Sequence, residues 1–140
     1  MSLTYLPDIN IISEPLRPVP NRQVLERLKR HQDEMALAAI VWHELLFGAY
    51  RLPLSTRRSI IERYLIQVIA STIPILPYDN RAAKWHAAER TRLTRLGKTP
   101  PFADGQIAAI ARVNDLILVT ANTADFSFQD IQVQDWSSPG

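Results

Sequence analysis

The stretch Leu116-Ile117-Leu118-Val119-Thr120-Ala121-Asn122-Thr123-Ala124-Asp125-Phe126 decides the fold. Its first four residues are continuously apolar, the pattern of a strand buried on both faces by helices rather than of one face turned to water. The polar segment that follows places Asp125 beyond the carboxyl end of that strand. In open α/β sheets this rim is where sites form.

Working toward the N-terminus, Pro100 and Pro101 open a helix that ends near Asn114, with Pro tolerated in a first turn. Asp79 is suited to cap a long helix that closes at Gly97. Ile73 to Leu76 contains Pro74 and so predicts only a weak or edge strand. Helices are expected from about Ser55 to Ala70, and from Ile40 to Tyr50, where Pro53 follows. Met35 to Ala39 reads as a short apolar strand, and Asn21 as the cap of a helix reaching about His31. Leu3 to Leu6 reads as a first strand, followed by a brief helical turn before Pro15. Toward the C-terminus, Ile131 to Gln134 reads as a weaker last strand. Strands alternating with helices imply right-handed βαβ units and a mainly parallel sheet, hence an α/β fold class.

The chain has 140 residues, 46% of them hydrophobic and 21% charged, which suits one folded domain over residues 1–140. It has no cysteine, so disulfides and Cys-based zinc sites are excluded. Neither a basic leader nor a stretch of the ~20 apolar residues needed to span a membrane is apparent, and a cytoplasmic location is expected. The net charge of +2 demands no nucleic-acid partner by itself. The positive charge is nevertheless carried by 13 Arg and three Lys (Lys29, Lys84 and Lys98). Arg suits phosphates and carboxylates, although a general compositional preference for Arg explains the ratio equally well.

The chemistry resides in carboxylates. Asp8 falls just past the first strand, with Asn10 close behind. Asp104 lies in the first turn of its helix, on the same side as Ile107, Ala108 and Ala111, so it is expected on the buried face. Glu44 shares a side with Ile40, Gly48 and Arg51. A carboxylate buried there must be paired, for instance with Arg51, or protonated, or bound to metal. Several carboxylates converging would repel one another unless a cation lay between them, and oxygen-only donors suit Mg²⁺ or Mn²⁺. His31, His43 and His86 follow no zinc spacing and are expected at the surface or an interface. Trp42, Trp85 and Trp136 are expected in packing or at interfaces, no Gly-rich phosphate loop is present, and Ser13 lacks partners for a hydrolase triad.

The residues Asp8-Ile9-Asn10-Ile11-Ile12-Ser13, Glu44-Leu45-Leu46-Phe47-Gly48-Ala49, Ala103-Asp104-Gly105-Gln106-Ile107-Ala108-Ala109-Ile110-Ala111 and Thr120 to Phe126 together resemble PIN-domain ribonucleases. The likeness is specifically to VapC-type toxins of prokaryotic toxin–antitoxin pairs, and it covers nearly the whole chain. The resemblance implies a PIN-like three-layer sandwich, a central mainly parallel sheet flanked by helices. It implies a metal-dependent endoribonuclease hydrolysing RNA, with Asp8, Glu44, Asp104 and Asp125 as catalytic and Mg²⁺- or Mn²⁺-binding residues. Asn10, Thr120 and Asn122 match supporting positions. It further implies homodimers and neutralisation by a small antitoxin protein. Leu45, Leu46, Phe47, Tyr50 and Leu52 give one helix more apolar surface than a single core readily covers, consistent with such a partner.

Two departures carry their own expectations. Pro7 precedes Asp8, and Ile9 stands where the family usually has Thr. A Pro at the end of a central strand should stop the pairing about one residue early and leave Asp8 on a looser segment. A non-catalytic PIN-like module that binds RNA or protein through a weakened metal site is the alternative function. A phosphoacceptor receiver domain is excluded, because it would need a Lys after the last core strand and the last Lys here is Lys98.

Overall fold

The computed structural model describes residues 2–126 and 129–138. Its elements are β1 (Tyr5–Pro7), α1 (Ile9–Ile12), a 3-10 turn (Glu14–Leu16), α2 (Arg22–Arg30), β2 (Leu37–Ala38) and α3 (Ala39–Tyr50). There follow α4 (Thr56–Arg63), a π-helix (Tyr64–Ala70), β3 (Ile75–Leu76), α5 (Asn80–Arg95), α6 (Phe102–Val113), β4 (Ile117–Val119), a 3-10 turn (Thr123–Phe126) and β5 (Val133–Gln134).

The strands pair in the orders β1-β4-β5 and β2-β3, all parallel. A parallel bridge between Tyr5 and Met35 joins the two groups into one layer, β3-β2-β1-β4-β5. Leu118 and Val119 of β4 are fully buried, as their uninterrupted apolar run requires, and so is Leu6 opposite them. Helix α6 packs on β4 and also on α5 and α3, which buries Ala108, Ala109, Ile110 and Ala111 completely. Small side chains let a helix lie close on a sheet, and each buried large aliphatic residue contributes about 1.5–3 kcal/mol. No helix is long and apolar enough to cross a membrane among the described residues.

Side-chain caps fix the helix starts at Asn21, which accepts from the Val24 N–H at 3.1 Å, and at Asp79, which accepts from the Ala82 N–H at 2.9 Å. Gly97 closes the end of α5 with φ of 70°. The helix expected from Ser55 to Ala70 divides, its second half adopting π geometry in which Leu65 and Ile69 face the core. The Tyr64 hydroxyl donates to the Ile12 carbonyl at 2.7 Å, tying the start of that segment to α1.

The first strand corrects one expectation. Pro7 pairs with Val119, and the Asp8 N–H continues the ladder to the Val119 carbonyl at 2.9 Å. Pairing therefore does not stop early. Tyr5 donates to Glu34 and accepts from Ala36, so its polar groups face the β2 side. Backbone polar groups alternate sides along a strand, so the nitrogen of Pro7 also faces β2. The missing donor costs a bond on that side and none toward β4.

A second correction concerns Glu44. Helix α3 buries Val41, Leu45 and Ala49, whereas Glu44 is exposed on an adjoining face. The helix is apolar almost all round, so its sequence gives the buried stripe no unique direction. The apolar surface assigned to it divides accordingly: Leu45 is buried, Leu46 and Leu52 are half-buried, and Phe47 and Tyr50 are 54% and 59% exposed.

Candidate functional site

Asp8 is both the first carboxylate of the rim and the N-cap of α1. Its extended backbone, with φ of −78° and ψ of 176°, aims the side chain back at the helix start, where Oδ1 accepts from the Ile11 N–H at 3.0 Å. The Thr120 hydroxyl also hydrogen-bonds this carboxyl. Thr120 follows β4 directly and is fully buried, and its Oγ1 accepts from the Asn122 N–H at 3.0 Å. Burial pushes the Asp8 carboxyl above its ordinary range. The bonds from Thr120 and from the Ile11 and Asn10 backbone, together with the charge of Arg17, oppose that rise without cancelling it.

Asp104 is carried by the first turn of α6, half-buried beside Gly105 and Ile107 as its helical spacing requires. Its carboxyl is also pushed up, first by burial, then by the charges of Asp125 and Asp8. Asp125 sits in the 3-10 turn after β4, exposed, with its N–H donating to the Asn122 carbonyl at 3.1 Å. Three carboxylates from the ends of β1 and β4 and the start of α6 thus share one electrostatic field.

Glu44 stands on a separate element, α3. Its side chain is 50% exposed, and its partner is His43, 3.7 Å away, rather than Arg51. It lines a neighbouring groove of about 410 Å³ together with Asn10, Ser13, Arg17, Arg51 and Arg57. Among the described residues, no three His, Cys, Asp or Glu side chains stand close enough to form a ready-made metal cage. The donor set nonetheless fits a hard cation. It is all oxygen, and the like charges of Asp8, Asp104 and Asp125 raise the energy of the ionised pocket in the way that a cation or a proton relieves.

Two residues at this rim have no local signal in the sequence. Arg17 is far from any motif, yet its charge reaches Asp8. His86, expected at a surface or interface, is instead 5% exposed. Burial, and then the charge of Arg90, holds its imidazole below the ordinary range. Its Nδ1 meets the Tyr78 hydroxyl at 2.8 Å, and its other edge faces Gly105, where an added Cβ would lie 2.2 Å from Nε2. A glycine directly after Asp104 in a helix was the one available sign of such a close neighbour. His31 and His43 lie where expected, half-buried and exposed.

The PIN domain family model matches residues 5–132. Toxin FitB of Neisseria gonorrhoeae is 35% identical over 129 residues, covering 90% of this chain and 93% of that protein. The tRNA(fMet)-specific endonuclease VapC of Shigella flexneri is 31% identical over 136 residues, covering 96% and 99%. Among solved structures, that of FitAB bound to an IR36 DNA fragment superposes with a TM-score of 0.90 at 31% identity, over 98% of each chain.

Proposed function

The chain belongs to the PIN domain family, and from that premise we propose that it is an endoribonuclease, the toxin of a toxin–antitoxin pair. The observation that carries this reading is the placement of Asp8 after β1, Asp125 after β4 and Asp104 at the start of α6, where the charges of Asp125 and Asp8 reach Asp104. Full-length similarity to a FitB toxin and a VapC endonuclease supports it.

Mg²⁺ or Mn²⁺ is the proposed cofactor, held by Asp8, Asp104 and Asp125, with Glu44 completing the set from the adjoining groove. What a bound divalent ion supplies is Lewis acidity toward water and the phosphoryl oxygens. Thr120 holds the Asp8 carboxylate in place, and Asn122 supports the Thr120 hydroxyl. Arg17, between Asp8 and the groove, and Arg51 and Arg57 along it, are placed to bind phosphates of an RNA strand. A small antitoxin and a second copy of the chain are the proposed protein partners. Phe47, Tyr50 and Leu54, at 54%, 59% and 88% exposure, give them an apolar surface.

Cleavage of RNA by the purified chain with added Mn²⁺ tests the reading. Activity should vanish in EDTA and in Asp104→Asn and Asp125→Asn, substitutions that remove charge but little volume. Cleavage that persists in EDTA, or in the Asp104→Asn protein, sinks it. The exposure of Glu44, whose side chain turns to His43, favours the non-catalytic module as a second reading. RNA bound but uncut at every Mn²⁺ or Mg²⁺ concentration would establish that one instead.

A further inference from the structure

We propose that His86, wedged between the Tyr78 hydroxyl and the backbone of Gly105, is a positioning residue that sets where the first turn of α6 carries Asp104; this rests on the reading of Asp104 as a cation ligand.

The two buried-side carboxylates are held in different ways. Asp8 is fixed by hydrogen bonds to its own carboxyl, from Ile11 and Thr120. Among the described residues Asp104 has no such bond, and its carboxyl is shifted by burial and by the charges of Asp125 and Asp8. Its position is therefore inherited from the backbone turn on which it sits. That turn is weakly specified by the sequence. Its N-cap is Pro101, which offers no side-chain bond to the helix start, so a usual source of local definition is missing.

Packing against His86 supplies the definition instead. The imidazole contacts Phe102, two residues before Asp104, and Gly105, directly after it. The ring of Phe102 lies 4.9 Å from it, inclined at 50°. The Gly105 backbone lies so close that a Cβ could not be added without displacing Nε2. On the far side, the Tyr78 hydroxyl holds Nδ1, and the two rings meet edge to face at 5.8 Å. Tyr78 stands immediately before Asp79, the cap of α5, so the ring is fixed from behind by the element that starts its own helix. A cavity of about 20 Å³ borders the contact, lined by His86, Phe102 and Gly105 among others. Shortening the side chain at position 86 would enlarge it and give the turn room to settle.

Mn²⁺ binding to the full-length chain, measured by calorimetry alongside metal-free melting curves, separates positioning from mere packing. The set is the parent, His86→Ala, Asp104→Asn and the double variant. His86→Ala should bind Mn²⁺ about tenfold more weakly, as loss of a supporting residue typically does. The double variant should bind no more weakly than Asp104→Asn alone, because His86 acts through Asp104. His86→Gln, whose amide end reaches toward Gly105, should recover most of the affinity. Should His86→Ala fail to fold, Tyr78→Phe and Gly105→Ala address the same contact from its two sides, and both should weaken Mn²⁺ binding. Parent-like Mn²⁺ affinity in a folded His86→Ala protein overturns the proposal, as does parent-like affinity in both substitutes. Fully additive losses in the double variant overturn it too. If Asp104→Asn itself leaves Mn²⁺ binding unchanged, the ligand reading of Asp104 fails and takes this proposal with it. If Asp104→Asn weakens binding and His86→Ala does not, only the positioning role fails.

Discussion

Replacing Thr120 by Val isolates one hydrogen bond at the rim. The side chain is fully buried, and Val has nearly the same shape, so no cavity opens and no atom is crowded. What disappears is a hydroxyl that bonds the Asp8 carboxyl and accepts from the Asn122 N–H at 3.0 Å. Asn122 is exposed, so water can take over its donor. Asp8 is 7% exposed and has no such recourse. A hydrogen bond to a buried charged group is worth about 2 kcal/mol. With an unfolding entropy of about 2.1 cal/mol/K per residue, this chain has about 0.3 kcal/mol/K in total, and the loss lowers Tm by about 7 °C. Because the bond favours the ionised carboxyl, its loss pushes the raised Asp8 pKa higher still. In acid, where Asp8 is protonated in both proteins, the deficit should shrink. Circular-dichroism melts of the metal-free protein near neutrality and in acid measure both effects, with Thr120→Ser as the variant that keeps the hydroxyl. A fall of less than about 2 °C near neutrality, or equal falls at both pH values, would refute the reasoning.

Asp104→Asn should raise the melting temperature of the metal-free protein near neutrality. The folded-state pKa of Asp104 is raised, so its contribution to stability is full below the ordinary carboxylate range and is lost as pH rises through the folded value. Removing the charge removes that loss, and the gain should vanish in acid. Added Mn²⁺ should stabilise the parent but not this variant; a variant no more stable than the parent at any pH would count against like-charge repulsion at the rim. Glu89→Gln should act in the opposite sense. Glu89 binds Arg92 through both oxygens, at 2.6 and 3.0 Å, and accepts from the Asp130 N–H at 2.9 Å. The Arg92 bond, ahead of the other causes, holds its pKa down. Its stabilisation is present above the unfolded pKa and is lost as pH falls through the folded one. The Gln variant should melt lower near neutrality, with the difference closing in acid; a difference independent of pH would contradict the assignment.

The order of elements was legible because its signals are local. Four apolar residues in a row marked β4, and Asn21 and Asp79 marked helix starts with side chains that do bond the expected N–H groups. Asp104 was legible for the same reason, since three apolar neighbours at helical spacing fix one face. The division of the helix after Arg63 was not, because residues 56–72 contain no Pro or Gly to announce a change of pitch. The face that Glu44 shares with Ile40, Gly48 and Arg51 was wrongly expected to be buried, because α3 has apolar residues in every direction and only tertiary packing selects Val41, Leu45 and Ala49. His86 sits in a helix rich in charged residues, and its burial is decided by Gly105, about 20 positions away in sequence.

Pro7 shows why a residue rule needs a direction as well as a position. The rule that Pro breaks a ladder is a statement about one missing N–H. In a strand with neighbours on both sides, that N–H belongs to one neighbour only. Tyr5 spends its donor and acceptor on Glu34 and Ala36, toward β2, and two residues on Pro7 presents its nitrogen to the same side. Asp8, at the next position, turns to β4 and bonds Val119. The carboxylate that begins the site is therefore anchored by the strand pair that Pro7 does not weaken. Its own side chain then caps α1, and Thr120, one residue beyond Val119, closes the arrangement from β4. Asp8 is held by the two ends of a single pair of strands, which is why an apparently disruptive neighbour leaves it in place.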